Sequence, residues 1–414
     1  MNDQRLSRYA RLIVTTGLNI QSDQRLIVSA PVETAPLVRL VAEEAYRAGC
    51  RLVHVLWDDD AVTLARFRHA PRDSFEEYPI WQAAGLEEEG ERGSAFLAVL
   101  GFDPDLLAEQ DPDLVSTALR IRQRHLKPVS ELRRRNAMNW CVVAMPTEAW
   151  AARVFPQEAR ERRIEKLKDV LFSLCRLDAD DPVAAWQKHI RALVSRRDFL
   201  NGRRYDLLRY RGPGTDLTIG LAENHRWVSA QVRSRAGIAF VANMPTEEVF
   251  TAPHRERIEG TVTASKPLFH RGMVFENFSF RFQDGRVVDV RADRGEDLLK
   301  KIVKTDEGSA RLGEVALVPE SSPVARSGLL FYNPLLDENA ACHLALGSAF
   351  GETIEGGMGM EEQAFMGAGG NISQVHMDFM IGSPELSVEG VTQEGKTEPI
   401  LTQGEWAFEE DRRE

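Results

Sequence analysis

The pattern of hydrophobic residues changes near residue 200, and this change constrains the fold more than any other feature of the sequence. Before it, short β-rich runs alternate with helical patterns of apolar residues. The β-rich runs are Arg25–Ala30, Arg51–Trp57, Ser94–Phe102 and Asn139–Met145, and the helical patterns cover 34–48, 113–127, 157–175 and 182–199. Such alternation is typical of βαβ units, in which helices cover a parallel sheet. We therefore predict an α/β N-terminal domain with a parallel sheet over residues 1–200.

After residue 200 the segments are short, β-rich and separated by turn signals. Examples are Asp216–Leu221, Trp227–Ala230, Gly237–Val241 and Met273–Phe282. The last of these leads through Asp284-Gly285 into another β-rich run, and this dipeptide suits the primed turn of a hairpin. The second half therefore predicts an α+β domain over residues 201–414, with largely antiparallel strands.

Charge and composition exclude several classes of function. The 414 residues include 52 Lys and Arg against 63 Asp and Glu, a formal net charge of −11. An acidic chain is unsuited to nucleic acid or to anionic lipid, since both bind basic surfaces. No run of eighteen or more apolar residues is present to span a membrane. The four cysteines form no CxxC pair and three lie in apolar runs, so we expect buried thiols in a reducing cytoplasm.

Four segments of the second half place a metal-capable side chain among apolar or turn residues: Asn243–Phe250, Leu312–Leu317, Ala341–Leu346 and Val375–Phe379. Carboxylates and imidazoles are costly to bury unless they are paired or bound to a cation. His376 and Asp378 are the clearest case, because residues i and i+2 of a strand point to the same face. This pair suits zinc, manganese, cobalt or iron. A hydrogen-bonded His–carboxylate pair on a sheet face explains the spacing equally well.

Glu314 and His343 are ambiguous when each is taken alone. Glu314 begins an apolar strand, where it would be a ligand if it faced inward and an ordinary surface residue if it faced outward. His343 follows the polar residues 337–339, which resemble a helix start, and on a helix it would lie on the same side as Phe350. A packed core histidine is the simpler interpretation of His343 alone.

Two adjacent acids, Glu247 and Glu248, occupy a Pro-containing loop after a β-rich run. In a metal-dependent hydrolase one such carboxylate binds a cation, and the other takes a proton from the attacking water. Unequal environments could drive their pKa values apart. The same residues also fit the first turn of a helix, with Thr246 as the N-cap.

Five strings, in this order, resemble the thermophilic metallo-aminopeptidase family of the aminopeptidase T type: Asn243–Pro253, Leu312–Pro319, Cys342–Ala349, Ile354–Gly357 and His376–Glu385. The resemblance extends over nearly the whole chain. It implies a cytoplasmic, usually dimeric exopeptidase that acts on peptides and holds two divalent metal ions, zinc or cobalt, or else manganese or magnesium. The cation ligands that it implies, at the matching positions of this sequence, are Glu248, Glu314, His343, His376 and Asp378.

Phe350 departs from the pattern of that family. The family string Gly-Ser-Ala normally continues with a tyrosine, whose hydroxyl is thought to assist at the reaction centre, and this sequence has phenylalanine there. A lost hydrogen bond to a developing charge lowers a rate by about 10²–10³. The resemblance therefore implies an intact cation site with reduced peptidase activity, or a silenced member that still binds cations.

The sequence thus favours a metallo-aminopeptidase in which Glu247 is the general base, an assignment that rests only on its adjacency to Glu248. The alternative is a mononuclear Fe(II) ring-cleaving dioxygenase on the same scaffold, with His343, His376 and Asp378 as its two-His-one-carboxylate set. The carboxylates beyond this set argue against the dioxygenase, because they suit a second cation better.

Overall fold

The computed structural model describes residues 4–270 and 273–410 of the chain. Its α-helices, in chain order, are α1 (Gln4–Leu12), α2 (Ala35–Arg47), α3 (Asp60–His69), α4 (Ile80–Glu91), α5 (Pro112–Arg134), α6 (Glu148–Val154), α7 (Arg160–Leu174), α8 (Pro182–Arg203), α9 (Glu296–Ile302), α10 (Pro323–Ser327), α11 (Pro334–Asp337), α12 (Glu362–Gly367) and α13 (Ala407–Glu410). Within the described ranges, no helix is both long enough and apolar enough to cross a bilayer.

The strands, also in chain order, are β1 (Arg25–Pro31), β2 (Leu52–Asp58), β3 (Ala95–Leu100), β4 (Trp140–Ala144), β5 (Leu207–Gly212), β6 (Thr215–Leu221), β7 (Val228–Ser229), β8 (Gln231–Arg233), β9 (Ala239–Val241), β10 (Asn243–Met244), β11 (Val249–Thr251), β12 (Pro253–Thr263), β13 (Leu268–His270), β14 (Met273–Phe275), β15 (Ser279–Gln283), β16 (Arg286–Arg291), β17 (Leu312–Leu317), β18 (His343–Gly347), β19 (His376–Met380), β20 (Ser387–Val391), β21 (Thr397–Thr402) and β22 (Glu405–Trp406). They belong to two compact units of the chain.

The first unit contains the described residues up to Ile190 together with Gln231–Pro245. Its five-stranded sheet has the order β10-β4-β3-β1-β2, and neighbouring strands run parallel. Apolar side chains explain this arrangement, because β1 and β3 are largely buried and α2 buries Leu37, Val38 and Val41. The predicted α/β architecture with a parallel sheet is confirmed.

Helix α5 continues through Pro128, although the sequence predicts that this helix ends before the proline. Proline has no backbone N–H, so the carbonyl group of Arg124 loses its partner four residues along the helix. Arg124 is an exposed residue, and solvent can satisfy that carbonyl group. The helix therefore tolerates the proline that the local pattern predicts as its end.

The second unit contains Arg191–Ala230 and the described residues from Thr246 onward. Its larger sheet has eight strands in the order β16-β15-β12-β6-β5-β20-β21-β22, and a second sheet has five in the order β19-β18-β17-β11-β7. Neighbouring strands in both sheets are antiparallel, which confirms the predicted α+β architecture. One continuous hydrophobic core, which includes Trp227, Phe280 and Phe379, packs against both sheets.

The chain passes between the two units after Ile190, Ala230 and Pro245. Strand β10 consequently joins the parallel sheet of the first unit, although it follows β5–β7 of the second unit in sequence. The division into an α/β domain of residues 1–200 and an α+β metal-binding domain of residues 201–414 remains a prediction.

The strand predicted over Met273–Phe282 is interrupted between β14 and β15. Asn277 has a left-handed backbone (φ 48°), which breaks the extended conformation at that point. The hairpin predicted after this segment is present, since β15 and β16 pair in antiparallel fashion. Asp284 and Gly285 at its turn have φ values of 49° and 74°, as a primed turn requires.

Replacing Gly285 with alanine should destabilise the protein more than replacing Gly395. Both glycines have positive φ, where a Cβ costs about 1–2 kcal/mol. At Gly285 the new Cβ would also lie 2.0 Å from the Arg255 carbonyl oxygen, whereas nothing lies within 4 Å of it at Gly395. Urea denaturation of both variants and the parent gives the two losses of unfolding free energy. Equal losses would show that the close approach at Gly285 has no energetic effect.

Candidate metal centre

One face of the five-stranded sheet carries a cluster of acidic and imidazole side chains, and the opposite face is part of the hydrophobic core. Successive residues of a strand point to opposite faces. On strands β17 to β19 the first face, here called the ligand face, carries Glu314, His343, His376 and Asp378, while Val315, Leu344, Met377 and Phe379 lie in the core. The core side of the sheet therefore fixes the backbone that presents the polar cluster.

Small residues separate the polar side chains on the ligand face. Ala345 of β18 pairs with Glu314 on one side and with Asp378 on the other, and Gly347 pairs with His376. A Cβ on Gly347 would lie 2.0 Å from the Val375 carbonyl oxygen, so a larger residue would displace the strand. The small side chains leave space above the sheet, where the longer side chains converge.

A β-bulge at Gly313 determines which way Glu314 faces. Leu312 pairs with Leu346 in the core, but Glu314 pairs with Ala345, so the register shifts between the two positions. In a regular strand Leu312 and Glu314 would share a face, and the bulge instead turns Glu314 to the ligand face. The interpretation of Glu314 as an outward surface residue is wrong, since it is 5% exposed.

His343 lies at the start of β18 and not on a helix. The helix expected before it is limited to α11 and one 3-10 turn, after which Ala341 is extended (φ −168°), and the ladders to β17 and β19 hold the following residues as a strand. The expected placement of Phe350 on the same helical side is therefore wrong. Phe350 follows β18, and its ring packs edge-on against the His376 ring at a centroid distance of 5.0 Å.

The candidate ligand atoms form two groups of three that share Glu314. In the first group, His343 Nε2 lies 3.2 Å from Glu248 Oε2 and 3.6 Å from Glu314 Oε1. In the second, His376 Nε2 lies 3.5 Å from Glu314 Oε2 and 3.4 Å from Asp378 Oδ1. Within each group the ligand atoms lie within 4.8 Å of one another. The structure thus brings together all five residues that the sequence suggested as cation ligands.

Both imidazole rings have one nitrogen against a carbonyl group and the other against the carboxylates. His343 Nδ1 lies 3.2 Å from the Ala341 carbonyl oxygen, and His376 Nδ1 lies 2.9 Å from that of Ser348. A carbonyl oxygen only accepts hydrogen bonds, so each Nδ1 carries the hydrogen and donates it. When the ring is neutral, Nε2 then has a free lone pair, which is the arrangement in which histidine binds a metal.

Glu248 reaches the site from the segment that precedes β11, and this segment is not helical, so the interpretation of Thr246 as a helix N-cap is wrong. Asn339 holds the backbone of this segment in place at Glu247. The Glu247 N–H donates to Asn339 Oδ1 at 2.7 Å, and Asn339 Nδ2 donates to the Leu335 carbonyl oxygen at 2.9 Å. Glu247 is buried beside Glu248 but belongs to neither of the two ligand groups.

Sequence reasoning missed Glu338, a further carboxylate that faces the two groups. Burial raises the pKa of Glu338 well above its ordinary value, and the nearby charges of Asp378 and Glu248 raise it further. The signal was present in the sequence, because Glu338 lies five residues before His343. It was obscured because polar residues are equally common at the start of a helix.

The carboxylates keep both imidazoles protonated when no cation is bound. Burial by itself would lower the pKa of His343, but its hydrogen bonds to Glu248 and Glu314 outweigh burial and raise the pKa well above 6.5. Burial of His376 is likewise outweighed by Asp378 and Glu314, and its pKa rises to about 10. In the cation-free protein a proton on Nε2 therefore takes the position that a metal ion would occupy.

A family model described as thermophilic metalloprotease (M29) matches residues 2–406. The chain belongs to this family. Similar curated proteins include Aminopeptidase 2 of Geobacillus stearothermophilus (45% identical over 98% of both chains) and Aminopeptidase T of Thermus thermophilus (42% identical over 97% of this chain and 98% of the other). Aminopeptidase AmpS of Bacillus subtilis is 43% identical over 98% of this chain and 99% of its own.

Solved structures similar to the M29 chain include a close neighbour and a distant one. Wild-type AmpT from Thermus thermophilus matches with a TM-score of 0.93 at 41% identity, over 98% of this chain and 100% of the other. The 2,5-dihydroxypyridine dioxygenase of Pseudomonas putida KT2440 matches with a TM-score of 0.54 at 12% identity, over 98% of both chains. The second similarity shows a shared fold alone.

Cation binding to this M29 metalloprotease should release protons and weaken as the pH falls. The raised pKa values leave His343 and His376 protonated at neutral pH, and each ligand group contains one of them, so each bound cation must displace one proton. Each apparent dissociation constant should therefore rise by up to about tenfold for each unit of pH decrease. Calorimetric titration with zinc in two buffers of different ionisation enthalpy counts the protons released.

His376→Gln is the matched control for this titration, because it removes one of the two protonated groups and should release one proton fewer. A binding enthalpy that is the same in both buffers would contradict the protonated state of the two imidazoles.

Proposed function

We propose that the protein is a metal-dependent aminopeptidase, which removes N-terminal residues from peptides. The observation that carries this proposal is the pair of ligand groups that share Glu314, in a chain of the M29 metalloprotease family. Relatives at 42–45% identity over nearly the full length are named aminopeptidases. The close structural match to AmpT supports the same activity.

Two divalent cations fit these side chains better than one. The two oxygens of Glu314 face different histidines, Oε1 at 3.6 Å from His343 Nε2 and Oε2 at 3.5 Å from His376 Nε2. A carboxylate placed in this way is suited to bridge two ions, as in two-metal hydrolases. Glu248 and His343 would complete one set of ligands, and His376 and Asp378 the other.

Charge also favours divalent cations. Glu248, Glu314, Glu338 and Asp378 place four carboxylates at the two ligand groups, Glu247 adds a fifth beside Glu248, and neutral imidazoles add no charge. Two divalent ions would offset most of this negative charge. The mixture of imidazole and carboxylate donors suits zinc or cobalt, with manganese or magnesium as substitutes.

When bound, such ions polarise a peptide carbonyl group and lower the pKa of a water molecule. Our candidate for the general base is Glu247, which is buried beside Glu248 and whose backbone N–H is fixed by Asn339. A carboxylate there would take a proton from the attacking water and pass it to the leaving amine. The acidic surroundings suit the ammonium group of a free N-terminus, which favours an exopeptidase.

The iron dioxygenase alternative receives no specific support. Among the described residues, His343 and His376 belong to different ligand groups, and Asp378 belongs only to that of His376. A single Fe(II) would need these three side chains to form one set. We therefore propose that the protein catalyses hydrolysis and not oxygenation.

We further propose a homodimer in a reducing cytoplasm, with peptides as substrates and with neither nucleic acid nor membrane as a partner. All four cysteines are buried thiols, which supports the reducing compartment. The net charge of −11 is unfavourable for binding nucleic acid. Analytical ultracentrifugation of the purified protein tests the dimer.

The proposed activity is tested on purified protein with aminoacyl arylamides, after removal of metal and addition of zinc, cobalt or manganese. We expect turnover of substrates with a free amino terminus and none of their N-acetylated equivalents. Absence of turnover with every cation, in a sample shown to be folded, would reject the aminopeptidase. Ring cleavage of a dihydroxypyridine with added Fe(II) would support the dioxygenase instead.

Glu314→Gln should lower the content of both cations, because Glu314 belongs to both ligand groups. Glu248→Gln and Asp378→Asn should each lower the content by about one ion per chain. Elemental analysis after dialysis against a weak chelator gives the number of ions. Glu361→Gln, at an exposed position, is the control and should retain both ions. Loss of a single ion from Glu314→Gln would contradict the shared carboxylate.

Phe350→Tyr should raise kcat by about tenfold or more, with little change in KM or cation content. The ring already packs against His376, so an added hydroxyl would lie near the proposed reaction centre. Phe250→Tyr is a matched control, because Phe250 packs against Phe350 at 6.0 Å and gains the same hydroxyl. Steady-state kinetics of the three proteins compare the rates. An unchanged kcat in Phe350→Tyr would show that the missing hydroxyl does not limit the reaction.

A further inference from the structure

Strand β2 is an open edge of the parallel sheet in the first unit. It pairs with β1 on one side, and no strand within the described ranges pairs with it on the other. Natural proteins usually protect such an edge with Pro, Lys or a β-bulge, or keep the strand very short. Strand β2 has seven residues, Leu52–Asp58, with neither Pro nor Lys, and its register with β1 is continuous. This edge is therefore suited to accept another strand.

Apolar side chains are exposed along and beyond this edge. Strands of a parallel sheet are normally covered on both faces, yet Leu52 is 47% exposed and Trp57 is 45% exposed. Helix α3 follows β2 and buries none of its side chains, and its Val62 is 67% exposed. Burial of this surface against another protein would be favourable, because it removes apolar area from water.

One hydrogen bond shows which backbone groups of β2 face outward. The Val53 N–H donates to Tyr46 Oη at 3.1 Å, so it points away from β1. Successive N–H groups of a strand point in opposite directions, and those of Val55 and Trp57 therefore also point outward. The carbonyl groups of the same residues point the same way. Three residues at alternate positions thus present a donor and an acceptor to an incoming strand.

We propose that β2 pairs in antiparallel fashion with β2 of a second copy of this chain, about a twofold axis at Val55. The inference rests on the homodimer proposed above and specifies its contact surface. In this register the two Val55 residues form a hydrogen-bonded pair, and Val53 forms one with Trp57 of the partner subunit. The Val53 N–H then exchanges Tyr46 Oη for a backbone carbonyl oxygen. The two five-stranded sheets become one continuous sheet.

Charges at the two ends of β2 favour this register. A twofold interface must be complementary to itself. Arg51 directly precedes the strand and Asp59 directly follows it, so Val55 lies midway between them. Both charged residues are exposed, and Asp59 is held at the strand end because its side chain caps α3. Each Arg51 would therefore lie opposite Asp59 of the partner subunit. Registers centred on Val53 or Trp57 would instead place Arg51 or Asp59 against Val55.

Disulfide cross-linking of the full-length protein tests the axis. The two Cα atoms of Val55 would lie about 5.5 Å apart, which a disulfide can span. Val55→Cys should therefore become mostly disulfide-linked dimer under mild oxidation, as read on a non-reducing gel. Val53→Cys is the matched control, because it changes a half-buried valine on the same strand face. Its two copies would lie about 13 Å apart along the strands, so it should remain unlinked.

The parent chain is a second control for the cross-linking. All four native cysteines are buried, so the parent should remain unlinked under the same oxidation.

Val55→Lys tests how much the dimer depends on this edge. Two ammonium groups would face each other at the axis, and the dimer dissociation constant should rise by about tenfold or more. Sedimentation velocity over a dilution series measures this constant. Val288→Lys is the matched control, because Val288 is an exposed valine on β16, an edge strand of the eight-stranded sheet. It should keep the dissociation constant of the parent. Circular dichroism shows whether the variants are folded, and the cysteine variants test the surface even if Val55→Lys is not.

The possible outcomes separate the surface from the dimer. A parent dimer that Val55→Cys does not cross-link and Val55→Lys does not weaken would overturn the β2 surface and leave the homodimer standing. Cross-linking of Val53→Cys in place of Val55→Cys would overturn the register. A parent that is monomeric at every concentration would overturn the homodimer, and with it the surface. The assays require no turnover, so a failed aminopeptidase assay does not affect them.

Discussion

The close packing of four carboxylates with two imidazoles is the interaction on which the candidate metal centre depends. Buried like charges repel one another, and burial raises the pKa of Glu314 and Glu338. The protein holds this unfavourable cluster together through its backbone. The core side of β17–β19 fixes the strands, and main-chain carbonyl groups orient both histidine rings. The cluster therefore combines carboxylates with raised pKa values and imidazoles whose protons they stabilise, and such perturbed pKa values are characteristic of a functional site.

Part of the site could be predicted from sequence because it depends on local spacing. His376 and Asp378 share a face since strand residues alternate, and this holds wherever the strand lies. The direction of Glu314 could not be predicted, because the bulge at Gly313 reverses the alternation and depends on pairing with a distant strand. Glu338 was missed for a related reason: only the fold brings it against residues far away in sequence.

Prediction of the fold from sequence is limited in the same way. Alternating strands and helices predicted the parallel sheet, and the Asp-Gly turn predicted the β15–β16 hairpin, because both signals are local. No local signal indicates that β10 pairs with β4, which is far away in sequence. Likewise, Pro128 predicts a helix end from backbone chemistry alone, and the helix continues because its exposed carbonyl group can use water. Long-range strand pairing determines the position of β10, and contact with solvent allows the helix to continue through Pro128.

The position of Glu314 between two sets of ligands has a thermodynamic consequence. If each set holds one ion, as proposed, both ions draw charge from the same carboxylate, so their two binding free energies are linked. Such linkage is reciprocal: a change of ion at one position would alter the affinity at the other by the same factor. The response of the protein to the metals in its surroundings would then be governed by cooperativity between the two positions, and not by two separate intrinsic affinities.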